Sequence, residues 1–501
     1  MRHATCVLIH YPLSCQSSDE FVSCIYNVVD RVDGTIPTEN GMLTTLVTMQ
    51  LAGNSGLTSS IPTELCRLTN ITHLLMNTNR LSSSIPSCLG DLRYLQVLNL
   101  AANELIGTIP TELCQLSKLK ELQLTRNMNN GTIPSCIESL PLIELDLAHN
   151  RLSGSIPNEL GNLGDTLSYF STNDNILTGD PSDVFNKLVR LRHLMSSKNK
   201  LNFTMTSNFL GNTSNLTVLD LSVNKIDGAF PMHILTTSYP SLEVMDLSNN
   251  SLTGKFTNDG SIASRVEHLS AHDNQMTGSL EALVNLTGLI HLDLRNNEFT
   301  GAMDPVGASI GIKYLFLSEN PFIAGPIPEA FGLMSDMTEL SLRNTNLAGV
   351  IPESIAENWT FVRLIDLGSN NLAGPIPENF GNLSRLEYLL LFDNIGINGA
   401  IPTGFQEMTQ LKGVLLDRTS IVGTEALQLF CTLPNFMNVT GTELLIVDCD
   451  LDECTECEGC RCCSNATDMK DCSQPQLGNI DGMWIDGFRR PGNEFNFTDE
   501  L

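Results

Sequence analysis

Basic residues are scarce in this chain. Its 501 residues include 28 lysines and arginines against 56 aspartates and glutamates, which gives a formal net charge of -28. Binding to nucleic acid requires clusters of lysine and arginine that neutralise phosphates, and attraction to an anionic membrane surface has the same requirement. We therefore expect neither partner. A basic protein, a neutral sugar or a divalent cation suits the charge better.

Long apolar runs and catalytic motifs are also lacking. No stretch reaches the roughly 18 to 20 apolar residues that a membrane-spanning helix needs. No nucleophile paired with a base, no phosphate-binding glycine loop and no paired-carboxylate cleft is recognisable. The sequence therefore predicts a monomeric binding protein with no membrane span, no catalytic residues and no cofactor.

Pairs of isoleucine and proline recur at steps of about 24 residues. The pairs begin at Ile61, Ile85, Ile109, Ile133, Ile156, Ile327, Ile351, Ile376 and Ile401. Between them runs a constant frame of leucines, clearest at Leu95, Leu98 and Leu100, which is typical of a leucine-rich repeat with one short strand per unit. Because such units pack only on their neighbours, a chain of this length need not be divided into several cores.

These repeats predict an α/β solenoid, a right-handed horseshoe or superhelix of about sixteen units with a parallel sheet on its concave side. A recurring asparagine, as at Asn103 and Asn127, should bond the backbone groups that each turn leaves unpaired. Thr345 and Thr419 replace it, and we expect those two turns to be looser. The expected segments are a leader or truncated N-terminal cap at 1–34, the repeats at 35–425, a cysteine-rich cap at 426–472 and an acidic flexible tail at 473–501.

The stretch after the asparagine carries a family signature. Residues 152–157 read L-S-G-S-I-P and resemble the plant-specific motif L-x-G-x-I-P. The chain therefore resembles plant-type extracellular leucine-rich repeat proteins, such as receptor-like protein ectodomains and polygalacturonase inhibitors, over about residues 35–425. The run at 34–39 also resembles leucine-rich repeat proteins of diatoms. The resemblance implies a second short sheet and a short helical turn in each repeat. Cys15 and Cys24 lack the tryptophan of the family's N-terminal cysteine pair.

Fifteen cysteines fall into three groups. Residues 57–104 and 105–152 look like a duplicated double repeat. In each copy, two cysteines fall at nearly the same position of two consecutive repeats. This arrangement predicts the disulfides Cys66–Cys88 and Cys114–Cys136, with buried free thiols as the alternative. The other candidates for structural disulfides are Cys431, Cys449, Cys454, Cys457, Cys460, Cys462, Cys463 and Cys472.

The C-terminal cysteine group could also supply metal ligands. It lacks the fourth ligand and the proline of the bacterial iron–sulfur motif, although paired C-x2-C could hold zinc. Asn465 lies inside the group in a glycosylation sequon, which favours a disulfide-bonded cap and no metal. With about a dozen sequons in the chain, this predicts an extracellular or secretory-pathway location. The last four residues resemble a retrieval signal of the endoplasmic reticulum without its basic residue, and a coincidental acidic end is the alternative.

The outward positions of the predicted strands become apolar and aromatic toward the later repeats. The candidate ligand-binding residues are Tyr314, Phe316, Leu364, Tyr388, Leu390, Phe392, Asp393, Leu415 and Arg418. An exposed apolar patch with a charged rim is the usual mark of a recognition site. Scattered surface hydrophobes, or cover by the C-terminal cap, are the alternatives.

The sequence thus predicts a non-catalytic extracellular recognition or adhesion module that binds a protein, peptide or glycan on its concave face. Inhibition of a secreted polysaccharide hydrolase and a structural role in the cell wall or matrix are the alternatives. A second candidate cluster comprises His268, His272 and His291 with Asp273 and Asp293, which could bind a divalent cation or sense pH, or could simply be solvated.

Overall fold

The computed structural model describes residues 33–257 and 265–421, together with the backbone of residues 14–18, 21–25, 444–447 and 460–462. The chain divides into two compact units, Met1–Ile323 and Ala324–Leu501. In both units each repeat adds one short strand to a parallel sheet, which we call the main sheet. The structure is therefore a solenoid of stacked parallel strands, as the sequence predicts. The predicted segment boundaries at 34, 425 and 472 stay predictions.

The main sheet of the first unit starts with an antiparallel pair of strands and continues in parallel. Its strands are Ser14–Ser18, Phe21–Ile25, Leu46–Gln50, His73–Leu75, Val97–Asn99, Glu121–Gln123, Glu144–Asp146, Tyr169–Ser171, His193–Met195, Val218–Asp220, Val244–Asp246, His268–Ser270, His291–Asp293 and Tyr314–Phe316.

The main sheet of the second unit follows the same plan. Its strands are Glu339–Ser341, Leu364–Asp366, Tyr388–Leu390, Gly413–Leu415, Leu444–Val447 and Cys460–Cys462. The last two lie in the expected cysteine-rich cap and continue the sheet in parallel. The side chains of the cap and of the expected tail lie outside the described residues. The predicted disulfides among the eight cysteines from Cys431 to Cys472 therefore lie outside them as well.

The leucine frame explains why these segments become strands. In Val97–Asn99 and Glu121–Gln123 the middle leucines, Leu98 and Leu122, are fully buried, whereas their neighbours point outward and are half-buried. Burying one leucine side chain stabilises the fold by roughly 1.5 to 3 kcal/mol. The next leucine of the frame, such as Leu100, is buried as well. The inward leucines of successive repeats therefore form one continuous core within each unit.

The predicted asparagine ladder is confirmed. Asn103 donates from Nδ2 to the carbonyl of Leu100 at 3.0 Å and to that of Met76, in the preceding repeat, at 2.9 Å. Its Oδ1 accepts the Leu81 N–H at 2.9 Å. At the two exceptions, Thr345 Oγ1 donates to Leu342 at 2.6 Å and Thr419 Oγ1 to Leu416 at 2.7 Å. Threonine thus keeps one bond of the ladder, and the expectation of looser turns stays a prediction.

A second set of short strands follows most of the ladder asparagines, as the resemblance implies. In the first unit these strands are Asp33–Thr35, Gly56–Ser59, Arg80–Ser84, Glu104–Thr108, Met128–Gly131, Arg151–Ser155, Ile176–Gly179 and Lys200–Leu201, then Thr204–Met205, Asp227–Ala229, Ser251–Lys255, Gln275–Gly278 and Glu298–Phe299. In the second unit they are Ala348–Gly349, Asn371–Gly374, Asn394–Gly399 and Thr419–Ile421. Gly131 shows why the motif needs glycine: its φ is +76°, and a Cβ there would lie 2.8 Å from the Thr108 methyl.

Short helices close most repeats after the Ile-Pro pair. Proline restricts φ at this position, and at Pro86, where φ is -63°, the backbone is extended just before the helix begins. The 3-10 helices are Thr38–Met42, Thr63–Arg67, Ser87–Asp91, Thr111–Gln115, Ser135–Ser139, Asn158–Leu163, Met232–Leu235, Glu281–Asn285, Asp304–Ala308, Glu329–Leu333, Glu378–Asn382 and Thr403–Glu407. The α-helices are Ser182–Lys187 and Glu353–Asn358. Within the described ranges, no helix is long and apolar enough to cross a membrane.

Both predicted disulfides of the first repeats are present. Cys66 is bonded to Cys88 and Cys114 to Cys136, with Cα atoms 5.7 and 5.8 Å apart. Each bond joins the short helices of adjacent repeats, because each cysteine follows an Ile-Pro pair within the same helical turn. The alternative of four free thiols does not describe this structure.

Candidate functional site

The outward side chains of the main sheet are the natural place for a ligand, because the inward ones form the core. We call the outward side chains of the strands from Glu121–Gln123 to Val244–Asp246 the central face. All of these strands belong to the first unit. Their register aligns the first residues of the strands in one row and the third residues in another.

Carboxylates stand at both ends of the central face. Glu144 and Asp146 lie on one strand. Asp220 and Asp246 are register partners on two adjacent strands farther along the sheet. Burial raises the pKa of Asp146 to about 6 and also raises the pKa of Glu144. Burial, together with the nearby charge of Asp246, raises the pKa of Asp220 to about 6. A cationic group placed between such carboxylates would favour their ionised form.

Two aromatic rings lie between the carboxylates. Tyr169 and His193 occupy the same position on adjacent strands, and their ring centroids are 5.5 Å apart. Both side chains are half-buried. Burial, aided by the charge of Arg192, lowers the pKa of His193 to about 4, so its ring is neutral at physiological pH. The pair therefore offers a neutral aromatic surface to a ligand.

The histidine cluster is held by a network of ion pairs. His272 Nδ1 lies 2.6 Å from Asp273 Oδ2, and Asp293 forms a two-bond pair with Arg295 at 2.9 and 2.6 Å. For His272, burial opposes the charged form, but the bond to Asp273 and the charge of Asp293 outweigh it and raise the pKa. Burial lowers the pKa of His291 to about 4.

The cation-binding alternative gains no support from this cluster. Among the described residues, no group of three or more histidine, cysteine, aspartate or glutamate side chains is arranged to hold a metal ion. The alternative of pH sensing stays a prediction.

The nine predicted ligand-binding residues are divided between the two units. Tyr314 and Phe316 lie in the first unit, where Tyr314 is half-buried. Phe316 is buried, so its expected exposure is wrong, and Arg295 stacks over its ring, 5.0 Å from the centroid. The other seven lie in the second unit. We call the five apolar ones, Leu364, Tyr388, Leu390, Phe392 and Leu415, the end patch.

The expected exposure of the end patch is wrong. Its five side chains are only 2 to 5% exposed, although strand alternation points them away from the core. Phe392 packs over Gly368 so closely that any side chain there would collide with its ring. Alternation fixes the direction of a side chain but not what lies above it, so the sequence alone could not give this burial. A ligand-binding role of these residues stays a prediction.

Charged residues do surround the end patch, as the sequence suggests. Arg418 Nη1 lies 3.4 Å from Asp393 Oδ1, and Arg418 itself is exposed. Glu387 accepts bonds from Arg363 and Lys412, both at 2.6 Å. For Glu387, burial opposes the charged form, but these two cations outweigh it and lower its pKa.

Sequence reasoning did not single out Tyr169, His193 or Glu144. The signal was present, because all three stand at the same outward position of the repeat frame. Aromatic residues are more frequent in the later repeats, which draws attention to those repeats. Their frequency in the sequence does not show which of them are exposed.

Comparisons with known proteins agree with the fold. The family model described as Leucine Rich Repeat matches residues 94–116, 141–163, 241–260 and 361–383. The chain thus contains leucine-rich repeats and folds as a leucine-rich repeat solenoid. Among curated relatives, the chain is 34% identical to Receptor-like protein 32 of Arabidopsis thaliana over 28% of its own length and 15% of the relative. It is 34% identical to Receptor-like protein 35 of the same plant over 45% of its own length and 21% of the relative. The matches thus span about a fifth or less of these two relatives.

Solved structures show the same architecture. The Arabidopsis receptor kinase HAESA, crystallised with the peptide hormone IDA and the co-receptor SERK1, has a TM-score of 0.66 and 28% identity, covering 83% of the present chain and 72% of the HAESA chain. The ectodomain of the Arabidopsis thaliana receptor kinase GASSHO1/SCHENGEN3, in complex with CASPARIAN STRIP INTEGRITY FACTOR 2, has a TM-score of 0.59 and 27% identity, with coverages of 85 and 59%. The repeats are therefore those of plant receptor ectodomains in fold.

Proposed function

We propose that the chain is an extracellular, receptor-like recognition module that binds a peptide or protein on the central face of its main sheet. The observation that carries the proposal is the half-buried pair of Tyr169 and His193 between two groups of carboxylates. The structural neighbour HAESA was solved with a peptide hormone bound, which supports a ligand of this class.

The chemistry of the central face suits a cationic, extended ligand. Asp146 and Asp220 are three strands apart, which corresponds to about 14 Å at the usual strand spacing. An extended peptide covers that distance in about four residues. We therefore expect two basic groups about four residues apart, with an apolar or flat group between them to contact Tyr169 and His193.

The proposed location is outside the cell or within the secretory pathway. Two disulfides staple the first repeats, and such bonds persist in oxidising compartments. The relatives that match the chain are named as receptor-like proteins and a receptor-like kinase, which supports a place at the cell surface.

The experiment probes an array of secreted proteins, peptides and glycans with the oxidised chain, and then measures the affinity of any ligand by calorimetry. We expect Tyr169→Ala to weaken binding roughly ten-fold, because an aromatic side chain at the centre of an interface contributes about 1.4 kcal/mol or more. Tyr94→Ala is the matched control, since Tyr94 is an equally large exposed aromatic residue outside the main-sheet strands. Its affinity should be unchanged.

Other outcomes redirect the assignment. If Phe392→Ala abolishes binding and Tyr169→Ala does not, the ligand contacts the end patch, as the sequence predicted. If only a secreted polysaccharide hydrolase is bound and inhibited, the inhibitor alternative replaces the proposal. Equal affinity of the parent chain and all three variants for every ligand would leave the central face without a role in recognition.

A further inference from the structure

Nine asparagines in the described ranges stand in the sequon Asn-x-Ser/Thr, which is the acceptor for N-linked glycans in the secretory pathway. Six of them lie three or six residues before a strand of the main sheet: Asn70, Asn212, Asn215, Asn285, Asn358 and Asn382. The other three, Asn130, Asn202 and Asn249, follow such a strand. Because the strands that follow the six run parallel to their neighbours, the six lie on the side of their unit from which the chain enters the main sheet, which we call the entry side.

Three of the six share one position of the repeat and an open side chain. Asn212, Asn285 and Asn382 each precede the first residue of a main-sheet strand by six residues, and the last two each end a short helix. Their side chains are exposed. Among the hydrogen bonds of the described residues, none involves their side-chain amides. A glycan attached to Nδ2 at these positions therefore displaces no hydrogen bond of the described fold.

Other asparagines show what makes a position less suitable. Asn358 stands at the same position of its repeat, but its Nδ2 donates to the Gly332 carbonyl of the preceding repeat at 2.8 Å. Asn70 donates in the same way to a backbone carbonyl of the preceding repeat at 2.9 Å. A glycan on Nδ2 at either site would compete for the space beside that bond. The buried ladder asparagines are not acceptors at all, because a core residue such as Leu105 stands where the sequon after Asn103 would need serine or threonine.

We propose that Asn212, Asn285 and Asn382 carry N-linked glycans. The proposal rests on the secretory-pathway location proposed above, because the glycan donor and its transferase act there. The donor is an oligosaccharide joined through its anomeric carbon to a lipid diphosphate. The asparagine Nδ2 forms a bond to that carbon and gives up one proton, while the bond from the carbon to the diphosphate oxygen breaks and the lipid diphosphate leaves. Transfer precedes folding, so exposure in the folded chain decides whether the repeats can pack around the attached glycan.

The positions of these glycans are compatible with the proposed recognition surface. None of the nine sequon asparagines lies in a strand of the main sheet, so the outward residues of the central face carry no sugar. On the entry side, a glycan at Asn285 covers part of the neighbouring Val284, an apolar side chain that is 40% exposed. Glycosylation thus makes the entry side hydrophilic and leaves the central face open to a ligand.

Site mapping tests the proposal in the full chain, directed into the secretory pathway of a mammalian cell line by a cleavable signal peptide. Peptide N-glycosidase in heavy-oxygen water converts each glycosylated asparagine to a labelled aspartate, which mass spectrometry locates. We expect the label at Asn212, Asn285 and Asn382 in most copies of the secreted chain. An unlabelled asparagine at any of the three positions would overturn the proposal for that site.

Variants of the third sequon residue separate glycosylation from effects on folding. Thr287 is exposed, so its replacement leaves the core intact. Thr287→Ala removes the hydroxyl that the sequon requires, and we expect complete loss of the label at Asn285 and a gain in electrophoretic mobility equal to one glycan. Thr287→Ser is the matched control, which keeps the sequon and should keep the label. Retention of the label in Thr287→Ala would contradict its origin in the sequon.

The mapping contains no ligand, so it can fail independently of the proposed recognition function. A secreted chain that carries the three glycans and binds nothing on the array would overturn recognition and support the glycan sites. A chain that binds its ligand but carries no label would overturn the glycan sites alone.

Discussion

At the scale of single residues, the recurring asparagine bonds the backbone of successive repeats to one another. Asn103 and Asn127 each donate to carbonyls of two repeats and accept a backbone N–H from the preceding one. The side chains are less than a tenth exposed, so water cannot replace these bonds. Each asparagine therefore couples the turn of its own repeat to the turn before it.

We expect Asn103→Ala to lower the free energy of unfolding by about 3 kcal/mol, because it leaves the buried Leu81 N–H without its acceptor and removes one of the two asparagine bonds at each of the Met76 and Leu100 carbonyls. Urea unfolding measures the loss. Hydrogen exchange at the Leu81 N–H, which Asn103 accepts, should accelerate more than exchange at more distant repeats.

The chain itself supplies the control. Thr345 occupies the ladder position and keeps one bond, from Oγ1 to Leu342. Asn103→Thr should therefore lose clearly less stability than Asn103→Ala. Equal losses for the two variants would mean that the ladder bonds are not the source of the effect.

At the scale of elements, each disulfide connects the short helices of two adjacent repeats. Cys66–Cys88 and Cys114–Cys136 each span a sequence separation of 22, slightly less than one repeat. A bond of this span restricts the unfolded chain more than the folded one, in which the Cα atoms already lie within bonding range. The early repeats are therefore stapled in pairs.

Removing one staple should cost about 3 kcal/mol on the loop-entropy estimate. The double variant Cys66→Ser with Cys88→Ser avoids leaving a lone thiol, and its unfolding by urea is compared with that of the parent. Cys114→Ser with Cys136→Ser is a matched pair in the duplicated unit and should behave alike. Peptide mapping without reductant should recover both pairs linked; finding all four cysteines as free thiols would contradict the assignment.

Much of the element order follows from the sequence, because inward leucines at fixed spacing allow little besides a short strand in every repeat. The two disulfides followed from the same spacing. The end patch did not, since the period of two along a strand gives the direction of Tyr388 and Phe392 but not their cover. Tyr169 and His193 were missed for a related reason: an aromatic pair stands out only once the register places its two members side by side.

At the scale of the whole molecule, charge is the dominant property. The net charge of -28 is shared between the repeats, in which carboxylates recur along the main sheet, and the acidic residues after 425. Ion pairs such as that of Glu387 with Arg363 neutralise part of it locally. Self-repulsion of this size opposes the compact state.

Salt should therefore stabilise the protein. Raising sodium chloride from roughly 10 to 150 mM shortens the Debye length from about 30 to 8 Å, and we expect the thermal midpoint to rise by a few degrees. Tetramethylammonium chloride at the same ionic strength should produce the same rise, because screening does not depend on the identity of the cation. A falling midpoint would show that ion pairs outweigh the net repulsion.

The staples also decide how the chain responds to tension. A fully extended polypeptide is up to about 3.5 Å long per residue. A disulfide that spans 22 residues therefore keeps about 75 Å of contour length from being extended. While both bonds are intact, a pull on the two ends cannot extract either hidden length, even after the surrounding repeats have unravelled. The chain inside each disulfide loop would therefore resist extension until a reductant breaks the disulfide.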